Sequence, residues 1–126
     1  MASELTKRAL AETKVEASTS EVARTIKEGF AIIDVSFIRE NINEKAQWAE
    51  LYGKRGMSLR SWGEKIKVEI RGDGISGSIV RAESKATLKT TIFDYGQNKE
   101  NLERIFAILT SRYKNTSPVV IKEKTF

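Results

Sequence analysis

The stretch Thr90–Tyr113, TTIFDYGQNKENLERIFAILTSRY, decides the fold. It reads as a strand end, a turn at Asp94-Tyr95-Gly96, a cap at Asn98 and an amphipathic helix. Leu102, Ile105, Phe106, Leu109 and Tyr113 recur at helical spacing and fall on one face, with Glu103, Arg104 and Ser111 on the other. Gly96 suits a positive φ, Asn98 suits the free N–H groups of a helix start, and Asp94 suits its positive dipole end. A helix with such a stripe must cover an apolar surface, and the rest of the chain supplies one.

Upstream, residues 9–17 alternate Thr13, Val15 and Ala17 with Lys14 and Glu16, as a half-buried strand does. Ser18 and Glu21 have the spacing of a capping box, and Val22, Ile26 and Phe30 then step by four along one helix face. Gly29 fits a helix end. The reading favoured here ends the helix near residue 30 and makes Ile33, Val35 and Phe37 a strand, with 40–45 as a polar turn and Gln47–Tyr52 as the next strand. The competing reading continues the helix through Phe37.

Lys65–Arg71, KIKVEIR, alternates strictly, with Ile66, Val68 and Ile70 on one face and Lys65, Lys67, Glu69 and Arg71 on the other. Gly72-Asp73-Gly74 reverses the chain into Ser76–Lys85, which sets Val80, Ala82 and Ser84 on one face. Residues 87–93 are a further extended segment. The order is strand, helix, four to five antiparallel strands, helix, which is an α+β domain of two layers. The domain is placed at 1–113, and 114–126 is a tail, flexible or an edge strand, because Pro118 stops the helix.

Two absences restrict the chemistry. With no cysteine there are no disulfides or thiolate metal sites, and with no histidine a Ser-His-Asp hydrolase is excluded. Neither a signal peptide nor a membrane span is visible, so the sequence reads as cytoplasmic. Hydrophobic residues at 40% and charged residues at 31% suit one folded domain of 126 residues. The net charge of +5 includes no long basic block, so nucleic acid is permitted rather than implied.

The segments SWGEKIKVEI (Ser61–Ile70) and FDYGQNKENLERIFAIL (Phe93–Leu109) resemble TATA-binding-protein-like half folds and small helix-grip proteins of the START and Bet v 1 kind. They also resemble a group of small bacterial proteins in which an Asp-aromatic-Gly-x-Asn turn leads into the final helix. The resemblance implies a last helix laid across an antiparallel sheet and brings no catalytic residue or cofactor.

Gly72–Gly77 matches G-x-G-x-x-G, but it joins two strands, so a hairpin outweighs a nucleotide loop. Carboxylates are scattered, with no catalytic pair and no metal cluster. The expected function is a non-enzymatic binding or interaction domain without cofactor. A small apolar ligand would lie between sheet and final helix, against Phe30, Leu102, Phe106 and Leu109. A second reading is protein interaction or self-assembly through a strand edge or Val119–Ile121. A third is nucleic acid on the polar sheet face, where Trp48, Tyr52, Lys65, Lys67, Arg71, Arg81 and Lys85 would gather. Glu50, Glu69 and Glu83 share those frames, so a plain solvated face outweighs this third reading.

Overall fold

The computed structural model describes residues 7–56, 63–86, 97–114 and 116–125. The elements run β1 (Lys7–Val15), α1 (Thr19–Ile32), β2 (Val35–Asn43), β3 (Trp48–Arg55), β4 (Glu64–Gly72), β5 (Ser78–Ala86), α2 (Gln97–Arg112) and β6 (Val120–Thr125). The strands form one antiparallel sheet in the order β2-β3-β4-β5-β1-β6. The expected α+β class is the one the chain adopts. Asp94, Gly96 and the extended segment 87–93 lie outside the described residues.

Both helices pack on one face of the sheet. The alternation of β1, β4 and β5 buries Ala9, Ala11, Val15, Ile66, Val68, Ile70, Val80 and Ala82 on that side, where they join residues of both helices in one core. α1 contributes Val22, Ile26 and Phe30 over β2, β3 and β4, while α2 contributes Leu102, Ile105, Phe106 and Leu109 over β1 and β5. Ala9, Ala11, Ala82 and Ser84 beneath α2 are small, which lets a helix carrying a buried Phe106 approach the strands closely.

The helices also touch each other. A Cβ on Gly29 would stand 2.5 Å from Cδ1 of Ile108, so the missing side chain sets the interhelical distance. One turn back along α1, the Thr25 and Tyr113 hydroxyls meet at 2.8 Å. Gly29 therefore serves packing rather than termination.

Three further boundaries differ from the sequence reading. α1 continues to Ile32, and Ile33 caps it by donating its N–H to the Gly29 carbonyl at 3.1 Å. Asp34 then turns the chain at φ 66, a conformation that Asp tolerates better than most residues. Ile33 is thus a buried cap residue rather than part of the strand. β2 runs through Asn43, so residues 40–43 are strand and not turn. Polar side chains are at home there because β2 is an edge strand and largely exposed. At the start of α1 the Ser18 hydroxyl accepts the Glu21 N–H at 3.3 Å, as the capping spacing anticipated.

The β4–β5 connection is organised by Asp73. One oxygen of its carboxylate accepts from the backbone N–H groups of Ile75 and Gly77, and the other pairs with Lys14 at 3.3 Å. The two backbone hydrogen bonds stabilise the carboxylate and hold its pKa below the usual carboxylate range. After α2, the Ser117 N–H bonds the Lys14 carbonyl and its own carbonyl accepts from Thr13 Oγ1, delivering β6 to the free side of β1.

Gly53 is the tightest point beneath α1, since a Cβ there would lie 2.6 Å from Val35 Cγ1 and 3.0 Å from the Phe30 ring. Gly53→Val is expected to destabilise the protein by about 1–3 kcal/mol through overpacking. Urea unfolding checks this, and a midpoint at or above that of the wild type would show that Phe30 has room to move.

Candidate functional site

The inner face of the sheet is apolar along most of its length and turns polar at one end. In the last inward-facing row, Arg55 of β3 stands directly opposite Glu64 of β4. Ser84 follows one step below on β5, opposite Ile66. The N-terminal turns of α2 lie above and bring Asn98 and Asn101 down onto these side chains. Glu64, Ser84, Asn98 and Asn101 are each 3% exposed or less, while Arg55 is half-buried.

The hydrogen bonds run in a consistent direction. An Arg55 guanidinium N–H donates to Asn101 Oδ1 at 2.6 Å. Asn101 Nδ2 donates to Glu64 Oε1 at 3.0 Å and to Ser84 Oγ at 3.1 Å. Ser84 Oγ in turn donates to Asn98 Oδ1 at 2.9 Å. A carboxamide presents an acceptor to the cation and donors to the anion, so one neutral side chain satisfies both charges. A buried carboxylate without such partners would be strongly disfavoured.

The backbone is shaped for this arrangement. Gly63, immediately before Glu64, has φ 98, and a Cβ there would meet the Arg55 carbonyl oxygen at 2.5 Å. Only glycine fits such a position without distortion. It lets the start of β4 press against the end of β3 and sets Arg55 and Glu64 side by side.

The structure places the sequence-expected residues as follows. Phe30, Leu102, Phe106 and Leu109 meet in the core at 2% exposure or less, and none lines the grooves found among the described residues. Asn98 lies inside α2, which starts at Gln97, so it does not flank the helix as a cap. The first turn directs it down to Ser84.

The register sets Trp48 opposite Arg71, Tyr52 opposite Lys67 and Lys65 opposite Lys85, with Arg81 on the same outer face. That face also carries ion pairs Lys67–Glu50, Arg71–Glu69 and Arg81–Glu12. The hydrogen bond that the Lys67 ammonium donates to Glu50 holds its pKa above the ordinary value. Among the described residues no His, Cys, Asp and Glu group of metal-binding size occurs.

Arg55, Glu64, Ser84 and Asn101 are not singled out by sequence reasoning as site residues. A signal was present: Asn98 and Asn101 fall in the same helical phase as Leu102 and Ile105, and Glu64 in the same strand phase as Ile66 and Val68. A polar residue in an apolar phase marks a buried network.

The class defined by this geometry is an α+β domain with an open antiparallel sheet gripped on one face by two helices. Solved structures share the arrangement and give it a START-like, helix-grip resemblance. A START superfamily protein from Mycobacterium smegmatis matches over 85% of this chain and 97% of its own, at 12% identity and a TM-score of 0.55. Ara h 8.0201 matches over 84% of this chain and 97% of its own, at 8% identity and a TM-score of 0.54. No family model and no curated protein matches the sequence. Among the described residues no helix is long and apolar enough to cross a membrane.

Replacing Asn101 by Leu removes the amide that Arg55 and Glu64 share and is expected to cost about 3 kcal/mol, whereas Glu64→Gln keeps an acceptor and should cost about 1 kcal/mol. Chemical denaturation of both variants tests the order. Equal stability of Asn101→Leu and wild type would dissociate the amide from the charges.

Proposed function

We propose that the protein is a small-molecule-binding domain that takes an amphipathic ligand at the polar end of the space between α2 and the sheet. The observation that supports this is the Arg55–Asn101–Glu64 trio, placed at the head of an otherwise apolar interlayer. Asn101 takes up one N–H of the half-buried Arg55 guanidinium, whose planar fork suits a carboxylate head group. Ile66 and Leu102, the neighbours of Glu64 and Asn101 on the core side, are buried, so the ligand's body enters only where α2 lifts from the sheet. The helix-grip resemblance agrees with a site between helix and sheet.

Thermal melting against medium-chain fatty acids and aromatic carboxylates tests the proposal. A binder at a hundred times its Kd stabilises by about 2.7 kcal/mol, and Arg55→Leu should remove that gain while the apolar core remains. No stabilisation by any member, together with native mass spectrometry showing no co-purified ligand, would leave the trio as a structural pin for α2.

One observation favours self-assembly as a second reading. β2 is a nine-residue edge strand on which Phe37, Ile38 and Ile42 are all exposed, and its ladder is interrupted between Phe37 and Arg39. Such an edge can add a strand from another chain, while a bulge and charged side chains discourage it. Sedimentation velocity over a concentration series should reveal a dimer that Ile42→Lys abolishes. A wild type that stays monomeric throughout would reject the edge as an assembly site.

A further inference from the structure

The outer face of the sheet separates its charges by row. In the row at the Arg55 end, Lys54 of β3 stands opposite Lys65 of β4, Lys65 opposite Lys85 of β5, and Lys85 opposite Arg8 of β1. Four cations thus stand side by side across four strands, spanning roughly 14 Å at the ordinary interstrand spacing. Like charges directly opposite one another destabilise a sheet, so this row works against folding of the isolated chain.

The acids of this face lie in other rows and are already engaged. Glu12 pairs with Arg81, Glu50 with Lys67, Glu69 with Arg71 and Glu83 with Arg8. By contrast, Lys54, Lys65 and Lys85 make no ion pair among the described residues, and Lys65 and Lys85 are exposed. Three lysines without an ion pair among the described residues, beside Arg8 whose charge Glu83 offsets, thus give this end of the outer face a local positive field.

The adjoining row adds an aromatic surface. Tyr52 stands next to Lys54's end of the row, opposite Lys67, and the Arg39 guanidinium lies 4.4 Å from its ring centroid. With the Lys67 ammonium 6.0 Å from the same centroid, the ring and its flanking cations form an aromatic, positively charged contact for a planar base. This row offers no large apolar tip to insert into a membrane; its Leu10 is only half-exposed beside Glu83.

We infer that this row is a docking surface for single-stranded nucleic acid, with phosphates along Lys54, Lys65, Lys85 and Arg8 and a base on Tyr52. The like-charge repulsion of the free protein is relieved when the polyanion binds. The surface is on the opposite side of the sheet from the Arg55–Asn101–Glu64 trio and is independent of the ligand reading.

Fluorescence anisotropy with labelled oligothymidylate and oligouridylate, titrated over a range of salt, tests the inference. The Lys65→Gln/Lys85→Gln protein should bind at least about tenfold more weakly, with a salt slope shallower by about 1.4, while melting at a higher temperature than wild type. Lys99→Gln/Lys114→Gln, which removes the same charge from the helix side, should bind as wild type does. Tyr52→Leu should weaken binding without altering the slope. Equal weakening by both double variants would reduce the effect to net charge and overturn the inference. So would a wild type that sediments with phosphatidylserine vesicles but leaves both oligonucleotides free, or one that binds neither.

Discussion

Among the described residues two helices have to cover one face of six strands, and that shortfall governs the packing. Six strands at about 4.8 Å span roughly 24 Å between outer axes, whereas two packed helices cover about 20 Å. α2 lies over β1 and β5, and α1 over β2, β3 and β4. The cover runs out along β2 beyond Val35. There Phe37 and Ile42 are left partly exposed, and Lys27 of α1 reaches across to the Phe37 ring and the Glu40 carboxylate. Close packing at Gly29 and Gly53 is the other side of the same constraint, because helices near each other and near the sheet leave no room for side chains at their crossings.

The polar trio beneath α2 has a comparable logic. A helix held to a sheet only by apolar contacts can slide, because such contacts have little directionality. An amide fixed between a cation and an anion has one good position, so Asn101 defines where α2 stops along the strands. The same fixed polarity is what the proposal of a ligand head group at that end rests on.

Periodicity made much of this fold legible. The strict alternation of Lys65–Arg71 and the stripe from Leu102 to Leu109 place β4 and α2 correctly, and both report directly on burial. Residues 30–43 were less legible because β2 is a largely exposed edge strand, so its sequence is not obliged to alternate. The candidate site was hidden for a different reason. Arg55, Glu64, Ser84 and Asn101 come from four elements, and their coupling depends on which residues stand opposite each other. The lysine row was hidden in the same way: Lys54, Lys65 and Lys85 each look like an ordinary polar position until the register lines them up.

The position of β1 bears on how the molecule assembles. β2 to β5 form a meander of neighbours in sequence, so their pairings close short loops. β1 is different: it lies between β5 and β6, and its hydrogen-bonded partners come some seventy to over a hundred positions later, as with Ala11 and Ala82 or Ala11 and Ile121. Such distant pairings slow folding, since chain entropy is lost before the contacts return it. The topology thus puts the longest loop closures on β1, the strand whose pairing closes the β5 edge of the meander.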